Sequence, residues 1–425
     1  MRKFIVGIGI LSLLGILGTT TAYANGFKIL GVKSAKSIAM AEAFIVQADD
    51  PSAIAFNPAG LIQIDGTQVS GGITVMNAWF EHTSPSGAQE KNVDTWQSVP
   101  NAFICSDFNR ERMAFGMGIT VPNGISSEWS ESGFARYVCT YSELTLIDVN
   151  PSCAYEINGD LSVGCGLSYY YSNAILESRV DWGNLVGLPG QLDGGSKLEA
   201  DGDAWGYNIG ILYKLNENHG FAATFKSPFK IKYSGDAKLT DIPASLGLGS
   251  SSESKAETTI DFPAVVVLGY AYWPNNRLKL EFNLDWTNWD TLDSLVVHYN
   301  NSSFSLYPST TFEYDYNDTL AYKIGLEYSV SELLKLRAGY IYNKNATPEA
   351  NWRPSLQDTD VHFLTSGFGY TMGKFIIDGA LQLVFYEHMT INNNVDNNET
   401  LSSSSVDGKY EDFGVALNFG VTYKF

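Results

Sequence analysis

The stretch YEDFGVALNFGVTYKF, Tyr410 to Phe425, alternates residue by residue. Phe413, Val415, Leu417, Phe419, Val421, Tyr423 and Phe425 share one side; Gly414, Ala416, Asn418, Gly420, Thr422 and Lys424 share the other. Side chains on a strand alternate between faces, so this segment has one apolar wall and one small, polar wall. A soluble sandwich strand shows the same alternation. Recurrence of the pattern along the chain, behind an export signal, decides for a membrane barrel.

Three interior segments repeat it. From Arg277 to Trp286, Leu278, Leu280, Phe282, Leu284 and Trp286 alternate with Lys279, Glu281, Asn283 and Asp285. Tyr322, Ile324, Leu326 and Tyr328 alternate with Lys323, Gly325 and Glu327, and Lys335, Arg337 and Gly339 with Leu334, Leu336, Ala338 and Tyr340. Charges of both signs on one strand face exclude a dry sandwich core, because desolvating them costs too much. They suit a wet or polar-packed lumen.

Met1 to Ala24 reads as a secretory signal: Arg2 and Lys3, an apolar run from Phe4 to Leu17, and the small-residue site Ala22-Tyr23-Ala24. Gly7, Gly9 and Gly15 interrupt that run and Gly18 ends it, which argues against a membrane anchor. No later stretch is long and apolar enough for a spanning helix. Aromatics reach 13% and glycines 40, the mixture of a barrel with aromatic girdles. A net charge of −19 excludes nucleic acid as partner, since phosphates would be repelled.

From residue 66 onward about fourteen strands follow, joined by short and long connections in alternation. The short ones are 109–112, 158–160, 216–219, 274–276, 331–332 and 372–373. The long ones lie near 83–96, 122–141, 178–202, 233–257, 300–316, 344–359 and 391–409. Short turns belong to the periplasm and long loops to the outside. The fold expected is all-β, a 14-stranded antiparallel transmembrane barrel over 66–425. Residues 25–65 do not alternate; their small residues and turn formers suit a plug inside the lumen, with a periplasmic extension as the alternative.

Asn25-Gly26-Phe27, Ala48-Asp49-Asp50-Pro51 and Asn57-Pro58-Ala59-Gly60-Leu61 resemble the N-terminal hatch of the FadL/TodX transporters of long-chain fatty acids and hydrocarbons. The resemblance continues through Ser132 to Tyr137, Asp148 to Ser152, Trp205 to Tyr213, Asp261-Phe262-Pro263 and the last strand. It implies a hatch plugging a 14-stranded barrel, capture of oily cargo by outward loops, and release sideways through a kinked third strand. The hatch motif matches at Asn57, Pro58 and Ala59; the third strand matches Met113 to Val121, where Gly116 and Gly118 are candidates for the backbone break.

Apolar loop residues supply the candidate capture surface: Trp182, Leu185, Val186 and Leu188 in one loop, Leu239, Ile242 and Leu246 in the next. Arg179 is the leading candidate for a carboxylate head group, because guanidinium forms a forked pair with carboxylate. Lys323 is a second, and Lys335 and Arg337 are weaker ones; such lumen charges also pair with Glu281, Asp285 or Glu327. Cys153 and Cys165 stand symmetrically about a hairpin turn, as a disulfide or as two thiols. The histidines show no metal spacing, Asp396 to Glu399 read as a solvated acidic loop, and no nucleophile–base pair is present. No enzyme, cofactor or metal is expected. The expectation is a monomeric outer-membrane uptake channel for long-chain fatty acids, set in outer-membrane lipid. A hydrocarbon importer of the same family is the alternative, and a surface adhesin the more distant one.

Overall fold

The computed structural model describes residues 26–187, 190–301, 309–393, 395 and 406–425. The signal at 1–24, Leu188 and the acidic run Asp396 to Glu399 lie outside them.

Fourteen antiparallel strands form the wall: β1 Thr67–Thr83, β2 Gln97–Ser106, β3 Met113–Glu128, β4 Tyr141–Asn158, β5 Leu161–Val180 and β6 Gly194–Asn216. β7 runs in two parts, His219–Lys226 and Phe229–Thr240, and β8 in two, Ser251–Phe262 and Val265–Asn275. β9 Leu278–Thr287, β10 Thr319–Ser329, β11 Leu334–Asn343, β12 Val361–Met372, β13 Phe375–Tyr386 and β14 Gly408–Lys424 complete it. β14 pairs with β1 from Gln68–Lys424 to Thr83–Lys409, so the sheet closes on itself.

The alternation decides which way each strand faces. On β14 the Phe413, Leu417, Phe419 and Val421 side chains are exposed outward, while Ala416 and Asn418 are buried inward. On β10, Tyr322, Ile324, Leu326 and Tyr328 face out and Lys323 and Glu327 face in. Apolar residues exposed in a continuous band need lipid around them. Cys153 and Cys165 are opposite in register, with their sulfurs 3.6 Å apart as free thiols.

Several strands outrun their sequence limits. β3 reaches Glu128, β5 reaches Val180, β7 reaches Thr240, and β6 and β8 begin at Gly194 and Ser251. Ser, Gly and charge made these ends look like loop. They are strand because the wall continues beyond the lipid, where outward positions meet water and take Lys, Asp and Glu. Outside β9 a small hairpin pairs 294–299 with 309–313, of which only the second arm falls in the connection expected at 300–316.

Candidate functional site

Residues 26–66 lie against inward-facing side chains from around the ring. Two short helices, α1 Ala35–Ala39 and α2 Ala53–Phe56, and a 3₁₀ turn at Pro58–Gln63 make up this segment. Ser34 caps α1 by accepting from the Ser37 amide, which a short helix needs most. Glu281 of β9 accepts from the Val46 and Gln47 amides at 2.8 Å each. Asn57 donates to the carbonyls of Ile45 (2.8 Å) and Ile211 (3.2 Å) and accepts from the Ala59 amide. Pro58 and Ala59 sit on Gly164 and Gly210, where an added Cβ would stand 2.4 Å from the Ala59 nitrogen and 2.0 Å from Asn57 Oδ1. The segment is fastened at backbone contact, which only glycine in the wall permits.

Strand β3 is irregular. It pairs with β2 only from Ala102–Ile119 to Ser106–Phe115. Against β4 its register shifts between Thr120 and Asn123, a bulge at Val121 and Pro122. The edge left free above the bulge is taken by the N-terminal segment. Ile29 donates to the Pro122 carbonyl at 3.0 Å, and Gly124 donates to the Phe27 carbonyl at 2.8 Å. Gly116 and Gly118 lie below the bulge, in unbroken ladder with β4, and make room for the Ile54 side chain.

Two cavities lie on either side of an aromatic cluster: Phe27 lines the outer one, and its ring neighbours Phe262 and Trp289 line the inner one. The outer one, about 820 Å³ of unfilled space partly open to solvent, is walled by Ile125, Leu144, Tyr233, Ile260 and Phe27, with Arg353 at its lining. The inner one, about 840 Å³ on the same measure, reaches Pro122 and Asn123 of the bulge. Volumes of this order suit a chain-like ligand. Its apolar wall includes Phe56, Tyr170, Phe229, Phe262 and Trp289. Its polar lining holds four ammonium groups, Lys28, Lys33, Lys226 and Lys323, against two carboxylates, Glu42 and Asp285. Lys28 and Lys323 bind Asp285 at 2.9 and 3.1 Å, and Lys323 also meets Glu42 at 3.3 Å. Lys33 has only a 3.6 Å approach to Glu42. Among the described residues, no carboxylate lies within salt-bridge distance of Lys226, whose charge is felt by buried Asp148. Burial pulls the Lys33 ammonium down to about 8, against the upward pull of Glu42.

Phe27 is held by aromatic contacts with Trp289 (centroids 5.9 Å), Tyr314 (6.2 Å) and Phe262 (6.4 Å). Beside it Asp358 of the 344–360 connection accepts from the Gly26 amide at 3.4 Å and from the Ala346 and Thr347 amides at 2.8 and 3.0 Å. Burial pushes this carboxyl up to about 6, although those donors favour its charge. The folded state therefore holds the proton more tightly than the unfolded chain does. Stability is expected to fall by about 3 kcal/mol as pH rises from about 4 through about 6. Asp358→Asn is expected to flatten that part of the melting-temperature profile; an unchanged slope would refute the assignment.

The loop candidates sit differently from a free capture surface. Trp182 is buried and donates to the Thr240 carbonyl at 3.3 Å. Leu239 and Ile242 are buried, and Leu185 and Leu246 pack against the same apolar cluster as Phe27 and Tyr233. Val186 is half-buried in the turn after α3 Trp182–Leu185. These residues support the mouth from behind and do not line either cavity. Arg179 is on the outer rim, donating to the Asp193 carbonyl at 3.0 Å and 3.7 Å from Glu131. Lys335 and Arg337 pair with Glu327 at 3.3 and 2.7 Å. Of the cationic candidates only Lys323 reaches the inner cavity.

Sequence reading missed Lys28, Lys33, Glu42, Lys226 and Asp358, and had Phe27 only as part of the hatch motif. The first three fall in a segment without periodicity, and Lys226 ends a strand part at Ser227-Pro228. The one available signal was charge in an otherwise small and apolar segment.

The family model described as "Outer membrane protein transport protein (OMPP1/FadL/TodX)" matches residues 15–425. The long-chain fatty acid transport protein of Escherichia coli K12 is 26% identical over 415 residues, covering 88% of this chain and 89% of that one. Outer membrane protein P1 of Haemophilus influenzae is 26% identical over 365 residues, covering 76% and 77%. Among solved structures, a Pseudomonas aeruginosa FadL homologue superposes with a TM-score of 0.81 at 20% identity, over 94% of this chain and all of that one. The Pseudomonas putida toluene transporter TodX gives 0.71 at 16%, over 93% and 99%.

Proposed function

The chain belongs to the outer membrane protein transport family (OMPP1/FadL/TodX), a family of transporters and not of enzymes, and from that premise we propose that it takes up long-chain fatty acids. The observation that carries this reading is the inner cavity, apolar along its length, with more ammonium groups than carboxylates, ending at the bulge of β3. Each buried CH₂ is worth roughly 0.8 kcal/mol, so such a cavity draws an alkyl chain out of water. Lys226 and Lys33 hold the carboxylate there. Arg179 is too engaged at the rim to be the first choice.

Residues 26–66 act as the plug. Phe27, with its ring neighbours Phe262 and Trp289, is the partition between outer and inner cavity in this reading, and Phe27 to Ile29 seal the open edge of β3. Cargo filling the inner cavity displaces Phe27 and breaks the bonds to Pro122 and Gly124. The wall beside the bulge then opens into lipid, and the cargo leaves sideways without a second aqueous passage. A cell dependent on this protein is expected to grow on oleate as sole carbon source and to lose that growth on its deletion. Retained growth on oleate with lost growth on an alkane would favour the hydrocarbon reading, which the aromatic outer cavity also suits.

A further inference from the structure

We propose that the seam between β6 and β7 is a lateral intake, through which hydrophobic molecules dissolved in the surrounding lipid load the inner cavity. The proposal rests on reading that cavity as a cargo site.

The β6–β7 ladder runs from Gly195–Thr240 to Asp201–Ser234, stops, and resumes at Asn208–Lys226. Between these points residues 202–207 face 227–233 without register. One clasp remains at the lower edge, where Tyr207 donates to Ser227 Oγ (2.9 Å) and Ser227 to the Tyr207 carbonyl (2.8 Å). Pro228 and Pro263 stand at the breaks in β7 and β8 and have no amide to contribute.

Each break also inverts which face its strand presents. A single extra residue moves every later side chain to the opposite side. Below the break in β7, Ala222 is buried inward while Phe221 is exposed to lipid; above it, Ile231 and Tyr233 are buried in the lumen. All three large residues have odd numbers, so one apolar stripe passes from the outside of the wall to the inside. β8 repeats this with even numbers: Phe262 is buried inside, whereas Leu268 is exposed outside. Two neighbouring strands thus carry apolar surface through the wall at the point where the ladder is missing.

The level is right for exchange with lipid. Above the break the outward face is charged, with Lys230–Asp261 and Lys232–Glu257 pairs, while Trp205 and Tyr207 stand exposed at its height. Aromatics of that kind mark the lipid–water interface. The seam is stoppered by a side chain: Phe229, a wall of the inner cavity, stacks on Tyr170 with centroids 3.9 Å apart. At β3, by contrast, the stopper is the N-terminal backbone itself. Turning one aromatic ring breaks no hydrogen bond, so this route fills the cavity before the plug moves.

A reversible staple tests it. An ideal Cβ on Gly202 stands 2.7 Å from Ile231 Cγ2 and 2.5 Å from the Lys232 carbonyl oxygen, so Gly202→Cys with Ile231→Cys brings the pair within disulfide range once the backbone at 202 gives way slightly, at residues lining neither cavity. Gly206→Cys with Ser227→Cys is the second staple, the ideal Cβ of Gly206 being 3.1 Å from Ser227 Oγ and 2.8 Å from the Tyr170 ring; because Ser227 and Tyr170 line the inner cavity, this variant is compared only between its own oxidised and reduced forms. Both are made with Cys153→Ser and Cys165→Ser, and with Pro122 deleted to suppress traffic at β3. The protein is placed in lipid nanodiscs containing a pyrene-labelled alkane, and cavity loading is followed. The oxidised staple is expected to slow loading from lipid about tenfold, with recovery on reduction and no change in loading from water or in affinity. Unchanged loading with both disulfides confirmed by mass would overturn the intake. A probe that binds from neither side would instead remove the cargo reading.

Discussion

Methionine at both Lys33 and Lys226 is expected to weaken binding of a long-chain carboxylate by about a hundredfold or more, while leaving an alkane of equal length nearly unaffected. A hydrogen bond to a charged partner is worth about 1.5–3 kcal/mol, and each 1.4 kcal/mol is tenfold in affinity. Methionine keeps the length and apolar stem of lysine, so the wall stays packed. Glu42 retains Lys323 at 3.3 Å after the change, which spares it from burial without a partner. The wild-type affinity should also be full below about pH 8 and decline as pH rises through it, because Lys33 loses its proton there. Titration calorimetry with oleate and hexadecane, at pH 7 and pH 9, separates these outcomes. Equal losses for both ligands would place the head group elsewhere.

Deleting Pro122 is expected to lower uptake by about a hundredfold with the barrel intact. The deletion restores one-to-one pairing of β3 with β4 between Thr120–Asp148 and Asn123–Leu146. β3 then continues straight beside β2, with Asn101 facing Thr120. Opening a sealed ladder exposes backbone groups to lipid, at several kcal/mol for each one unsatisfied. The deletion removes one lining residue at the end of the inner cavity and leaves Lys33, Lys226 and the aromatic wall in place, so affinity should fall far less than uptake. Oleate uptake by cells, set beside calorimetry on the purified variant, reads both. Undiminished uptake would sink the sideways exit at β3.

Alternation along Tyr410–Phe425, Leu278–Trp286 and Tyr322–Tyr328, recurring behind an export signal and with charges on the inner face, established a barrel and which faces meet lipid. A period of two admits one inward and one outward set, and charges such as Lys323 and Glu327 can only go inside. Turn chemistry gave the strand number, and the motif around Asn57 marked the segment that belongs against the wall. Other features depend on contacts between residues far apart in the chain. No local pattern announces that Lys33, Lys226 and Lys323 converge, since they stand on the N-terminal segment, β7 and β10. Nor does β3 alone reveal its break: the glycines drew attention, yet the shift falls at Val121 and Pro122, where Phe27 to Ile29 supply substitute partners. The breaks at Ser227-Pro228 and Phe262-Pro263 were not among the connections read from the sequence. That they align, and carry apolar surface through the wall, emerges only once β7 and β8 are paired.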